Sequence, residues 1–151
     1  MKIKIEPTCE GEEEIRIRCA SPTEAQALAA RIAEVIRGRQ ELRLLLDHTE
    51  HYVAHEDILF FEAGNGRVYA HTAERMYVAP YKLFELEGCL SLEFIRISKS
   101  VIANVRRIAS LRRELTGNGE ITFRGAAKKT YFSRGYYKPL HEKIEEMRFE
   151  Q

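Results

Sequence analysis

Between Glu41 and Phe132 the apolar residues come in short runs, each cut by turn residues before it reaches the length of a helix. That spacing excludes most folds. A doubly wound sheet needs strands alternating with long helices, and no such β-α-β rhythm is present. Residues 42–46 read as a strand, with 52–54 as its partner, and residues 58–62 as an apolar strand. Gly64-Asn65-Gly66 is a tight turn, because Asn-Gly tolerates the positive φ angles of a two-residue hairpin. Strands follow at 68–71 and 76–78. Pro80 opens a helix with Leu83, Phe84, Leu86 and Leu90 on its apolar side. Further strands are expected around 94–97, 100–105 and 108–115, then a second Asn-Gly turn at Gly117-Asn118-Gly119, then strands at 121–123 and 130–132. A closing helix runs from about Arg134 to Met147, kinked or started near Pro139. The fold class is mainly β with few helices (α+β), an antiparallel domain over residues 41–151. The paired helices of a helix-turn-helix module are not in this pattern.

Ahead of it, residues 1–40 read as a β-β-α extension. Ile3 and Ile5 alternate with polar residues, as do Ile15, Ile17 and Cys19. Ser21-Pro22-Thr23-Glu24 has the form of a capping box with Pro at the first helical position. Apolar residues at Ala25, Leu28, Ala29, Ile32, Val35 and Ile36 then follow helical spacing. Such a unit is too small to be stable alone, so it is expected to dock its helix or pair with a second copy. A hydrophobic content of 44% is ample for a core. No apolar run approaches the roughly 20 residues of a membrane span, and no secretory leader opens the chain, so no membrane insertion is expected. The three cysteines Cys9, Cys19 and Cys89 are irregularly spaced, as expected of reduced thiols in a cytoplasmic protein. Cys19 and Cys89 lie in apolar patterns and are expected to be packed.

Charge is distributed unevenly. The net charge of +1 is the sum of +9 over residues 94–140, −6 over 1–93 and −2 over 141–151. A basic segment on an otherwise acidic chain is the electrostatic footprint of nucleic-acid binding, although a solvated charged face would carry the same residues.

Three pieces, in order, resemble the LytTR family of bacterial DNA-binding domains. The first is Asp57-Ile58-Leu59-Phe60-Phe61-Glu62-Ala63. The second is Leu83 to Leu90 with Phe94-Ile95-Arg96-Ile97-Ser98-Lys99-Ser100-Val101-Ile102-Ala103-Asn104. The third is Tyr131-Phe132-Ser133-Arg134-Gly135-Tyr136-Tyr137. The resemblance covers about residues 41–147. Residues 1–40 look like the extension of short stand-alone regulators of that family, which lack a receiver domain. It implies a double-stranded DNA partner, read as major-groove repeats through loops. The loop after the 60–63 strand, with Asn65 and Arg67, the turn at Ser98-Lys99, and Ser133-Arg134 at the start of the last helix would face bases. Lys99 takes a common base-reading place. Arg96, Ser100, Tyr131 and Lys138 fall where family members touch phosphates. Two positions depart from the pattern: Ser98 stands where His is frequent, and Gly135 where a second basic residue is frequent. Lysine and arginine donate well to guanine O6 and N7, and hydroxyls suit phosphate oxygens. Asn104 reads as a hydrogen-bonded turn residue. A homodimer and a regulatory partner, membrane-bound or soluble, are the other expected associations. Without a receiver domain, control would come from abundance, a partner or a small molecule.

Other chemistry is weakly supported. His48, His51, His55, His71 and Asp57 invite a metal site, but a surface-loop histidine cluster accounts for them, since on a strand His48 and His51 would point to opposite faces. Asp57 lacks the acidic cluster of a phosphoacceptor. No Walker lysine follows Gly64-Asn65-Gly66. No nucleophile-base constellation stands out, so neither an enzyme nor a cofactor is expected. Two other binding classes remain: an RNA-binding β module using Tyr131, Phe132, Tyr136 and Tyr137, and a protein-interaction module using the acidic N-terminal part.

Overall fold

The computed structural model describes residues 16–37 and 40–149. The chain divides into two compact units, 1–38 and 39–151, each described by itself. In the first, helix α1 (Pro22–Arg37) starts where its capping chemistry places it. Ser21 Oγ accepts from the Glu24 amide at 3.2 Å, and Pro22 fills a position whose N–H would have no helical partner. Ala25, Leu28 and Ile32 are half-buried. The strand expected at 15–19 is absent from its described part: residues 16–19 take no regular structure and Cys19 is exposed. Alternation makes a strand only where a neighbouring strand takes up its ladder of backbone bonds. The strand expected at Ile3 and Ile5 lies outside the described residues.

The second unit runs β1 (Glu41–Leu46), β2 (Thr49–Ala54), β3 (Ile58–Gly64), β4 (Arg67–Thr72), β5 (Met76–Ala79), α2 (Leu83–Cys89), β6 (Phe94–Arg96), β7 (Val101–Asn104), β8 (Ile108–Arg113), β9 (Gly119–Phe123), β10 (Lys129–Phe132) and α3 (Tyr137–Phe149). A seven-stranded antiparallel sheet has the order β2-β1-β5-β4-β3-β7-β6, and a second sheet the order β10-β9-β8. The interior strand β3 is buried on both faces over Ile58, Leu59, Phe60 and Phe61. Its register with β4 slips between Ile58, opposite Thr72, and Phe60, opposite His71, so β3 carries one extra residue. Consequently Leu59 and Phe60 both enter the core closed by α3, with Phe123, Phe132, Leu140 and Met147. Ile58 and Phe61 enter the core beneath α2, with Leu44, Leu83 and Leu86. Leucine pairs three apart take the inner side of α2, which turns the intervening Phe84 outward, 66% exposed, against the expectation that it packs. Cys89, at the end of α2, is exposed as well. The helix starts at Leu83 rather than at Pro80, where the Lys82 amide donates to Glu85 Oε1 at 3.1 Å.

The two Asn-Gly pairs part company. Asn65 (φ 53°) and Gly66 (φ 74°) form the expected hairpin corner. Asn118 does not. Its hairpin turns at Leu115 and Thr116, Gly117 alone takes positive φ (91°), and Gly117 N donates to Glu114 O at 2.9 Å. A β-turn closed by a left-handed glycine spends the conformational freedom one residue early, and Asn118 takes no positive φ.

The histidines are not one surface cluster: His55 is buried, and His71 is half-buried and stacked on Phe60 at 4.3 Å between ring centroids. Among the described residues no three metal-ligating side chains come together. Burial, with the Lys128 ammonium nearby, holds the His71 imidazole down at about 4 against an ordinary 6.5. Its buried Nε2 has no hydrogen-bonding partner among the described residues. The unfolded chain therefore takes up the proton first, and stability is expected to fall as pH drops from about 6.5 towards 4. The loss is at most about 3 kcal/mol and smaller to the extent that solvent reaches the ring. His71→Phe keeps the stacking and should flatten most of this dependence. His55, whose imidazole is also pushed down by burial, supplies the remainder. Urea titrations at pH 7 and pH 4.5 check this, and an unchanged slope in the variant would refute it.

Candidate nucleic-acid interface

Three loops of the second unit meet along one edge, and backbone bonds pin them together. The first is the β3–β4 hairpin tip, which sets Asn65 and Arg67 in solvent. The second is the turn between β6 and β7. Its buried anchor Ile97 donates N–H to Val101 O at 3.0 Å, and the Ser100 amide donates to Ser98 Oγ at 3.2 Å. The third is the junction of β10 with the 3-10 turn Arg134–Tyr136 that leads into α3. The Ala63 amide bonds Ser100 O at 2.8 Å, joining the first loop to the second, and the Ser133 amide bonds Ile97 O at 3.0 Å, joining the third.

The expected site residues fall into distinct roles within this frame. Lys99 and Ser100 are exposed at the turn, and so is Tyr131 on β10, with its alternate neighbour Phe132 buried. A groove of about 580 Å³ brings Lys99, Ser100, Tyr131 and Ser133 together, with the carboxylates of Glu62 and Glu114 on its wall. A second groove, about 700 Å³, carries Arg67, Arg96 and Lys99 beside apolar residues that include Phe84. Lys99 borders both. Ser98 is buried and Arg96 is engaged internally: its Nε donates to Ser98 O at 2.9 Å, Nη2 to Lys99 O, and Nη1 to Glu87 Oε1 of α2 at 2.9 Å. These two residues hold the turn that presents Lys99. Asn65, Arg134 and Lys138 line neither groove. Arg134 is exposed beside the first groove, and Lys138 is exposed on the first turn of α3. Pro139 is accommodated there because early helical N–H groups lack partners.

The basic segment is not one continuous stripe. Arg112 and Lys129 both pair with Glu120 at 3.4 Å. Arg113 lies over the Tyr137 ring at 4.3 Å, and Arg107 donates to Glu56 O and Arg124 O. Lys128 donates to Arg75 O at 2.6 Å, and burial lowers its ammonium below the usual range. Among the described residues Arg67, Lys99, Arg134 and Lys138 make no ion pair, so their charge is available to a polyanion. Of the four aromatics in the third piece, Phe132 is buried, Tyr136 and Tyr137 are half-buried, and Tyr131 is exposed, so they form no continuous stacking platform. Reading the sequence misses Asn118, whose Oδ1 accepts the Arg134 amide at 2.8 Å across 16 residues. An asparagine preceding glycine signals a corner, and nothing local marks it as a long-range acceptor.

A β-rich domain that gathers exposed cations and hydroxyls on one pinned edge is a nucleic-acid-binding domain in form. Residues 48–145 match the model of the LytTr DNA-binding domain family. Two uncharacterized HTH-type transcriptional regulators of Staphylococcus aureus, from strains NCTC 8325 and COL, are each 34% identical over 99 residues, which cover 66% of this chain and 67% of theirs. A solved LytTr DNA-binding domain from Bacillus cereus superposes with a TM-score of 0.65 at 20% identity, over 71% of this chain and 98% of that one. The chain belongs to the LytTr DNA-binding domain family. Those relatives are named as HTH-type, yet the helices described in this chain are separated by strands and form no helix-turn-helix pair.

Proposed function

We propose that the chain is a sequence-specific transcriptional regulator that reads double-stranded DNA with the three pinned loops. The observation that carries this is the pair of backbone bonds, Ala63 to Ser100 and Ser133 to Ile97, which bring together the loops bearing Arg67, Lys99 and Arg134, three cations with no ion pair among the described residues. Lys99 and Arg134, with Asn65 and Arg67 from the hairpin tip, face base edges in successive major grooves. Ser100, Tyr131, Ser133 and Lys138 touch phosphates and fix register. Arg96 and Ser98 serve by shaping the turn. The chain binds without catalysing, and it acts in the cytoplasm. Among the described residues no helix is long and apolar enough to cross a membrane. The test is duplex binding as a function of salt: the slope of log K against log salt should be about −0.9 per neutralised phosphate. Salt-insensitive binding, or no binding to any duplex from a randomised pool, would refute the proposal.

Residues 1–40 act as an assembly element, bringing two copies onto repeated half-sites so that the second binding event becomes effectively intramolecular. The apolar side of α1 motivates this. Sedimentation of the full chain should show a dimer, and a chain beginning near Gln40 should be monomeric and weaker on a two-repeat duplex. Identical sedimentation and affinity would remove the assembly role.

A further inference from the structure

The Glu114–Asn118 turn touches Arg134 in two independent ways. Asn118 Oδ1 accepts the Arg134 amide at 2.8 Å. Ser133, at the usual capping position, makes no side-chain cap, so the acceptor for this N–H comes from another hairpin. The Arg134 side chain also lies flat on Gly117: a Cβ built at Gly117 would stand 2.6 Å from both Cγ and Cδ of Arg134 and 3.2 Å from its Cβ. The turn is itself fixed, by Gly117 N to Glu114 O at 2.9 Å and by Glu114 N to Asn118 O at 2.8 Å. One hydrogen bond sets the backbone of Arg134, and one bare glycine sets the course of its aliphatic stem. An arginine held in this way loses less rotamer freedom when its guanidinium docks, because both its root and its stem are already placed.

We propose that Gly117 and Asn118 are positioning residues for Arg134, and that this turn fixes where the Arg134 guanidinium meets DNA. The inference rests on the proposal that Arg134 reads DNA. It places the aiming device on a hairpin that itself needs no contact with the duplex.

The test uses the full chain and a duplex that the full chain selects from a randomised pool, together with each single-base variant of that duplex. Arg134→Ala should lower affinity for the selected duplex about tenfold, with discrimination lost at one base position. Asn118→Ala should lose discrimination at that same position, and should cost nothing further when Arg134 is already Ala. Asn118→Asp keeps the acceptor and adds a charge that weakens every duplex alike, so its ratio between selected and variant duplexes should stay that of the native protein. Gly117→Ala pushes the arginine stem aside and also strains a backbone at φ 91°, so it should lose discrimination at the same position together with a lowered melting temperature, and the loss of discrimination should vanish when Arg134 is already Ala. Positioning is overturned if Asn118→Ala costs the same factor with and without Arg134, or if its loss is uniform over all duplexes. If Arg134→Ala leaves affinity and discrimination unchanged, the role of Arg134 fails, and this inference with it. Melting of each variant separates a local effect from unfolding: a partly unfolded variant loses affinity for every duplex by one factor, and an Asn118→Ala protein that shows only this uniform loss overturns the inference.

Discussion

Asn104→Ala is expected to destabilise the second unit by about 2–4 kcal/mol, as the loss of a buried, fully used amide should. Asn104 is 1% exposed at the end of β7. Its Nδ2 donates to Ile58 O at 2.9 Å, and its Oδ1 accepts the Arg106 amide at 3.1 Å. One side chain thus satisfies the entry to β3 and the 3-10 turn after β7, elements 46 residues apart. Alanine removes both bonds and leaves a void. Asn104→Asp should be no better, since it turns an acceptor towards the Ile58 carbonyl. Chemical denaturation followed by circular dichroism measures this, and a loss below about 0.5 kcal/mol would mean that water replaces both bonds at little cost.

Lys99→Ala should cost about 1–3 kcal/mol of DNA affinity, concentrated at one base pair. Lys99 is exposed, unpaired among the described residues, borders both grooves, and sits on a turn that Arg96 and Ser98 hold from within. Lys138, on the first turn of α3, should behave differently: Lys138→Ala weakens all duplexes alike and reduces the salt slope by about one phosphate. Competition titrations against single-base variants distinguish the two. Equal loss on every duplex for both variants would withdraw the base-reading role of Lys99.

Much of the architecture was legible because antiparallel strands with one covered face alternate in sequence, as in Leu42 and Leu44, or Ile121 and Phe123. The Asn65-Gly66 corner and the Ser21 cap were legible for a similar reason, since each is decided by chemistry within three residues. What escaped depends on distant partners. The sidedness of Ile58-Leu59-Phe60-Phe61 follows from an extra residue that only the register with β4 reveals. Phe84 faces solvent because the Leu83–Leu86 pair takes the core side of a short helix. The basic residues and hydroxyls of the candidate interface were legible as residue types, but their roles were not. Arg96 finds Glu87 on another element, and Ser98 turns inward to cap the amide of Ser100. The +9 of residues 94–140 overstated the available positive surface, because Glu120 alone takes up two of its cations.

The pinning of the three loops also decides where this edge can change length. Beyond Ala63 the β3–β4 tip protrudes freely, so residues inserted at Asn65-Gly66 lengthen a finger without disturbing the Ala63–Ser100 bond, at a loop-closure cost that grows slowly. An insertion between Ile97 and Val101 is different. It separates the two ends of the Ile97–Val101 bond and shifts Ser100 away from Ala63. Divergence by insertion is open to the hairpin tip and closed to the Lys99 turn, which can change its chemistry by substitution alone.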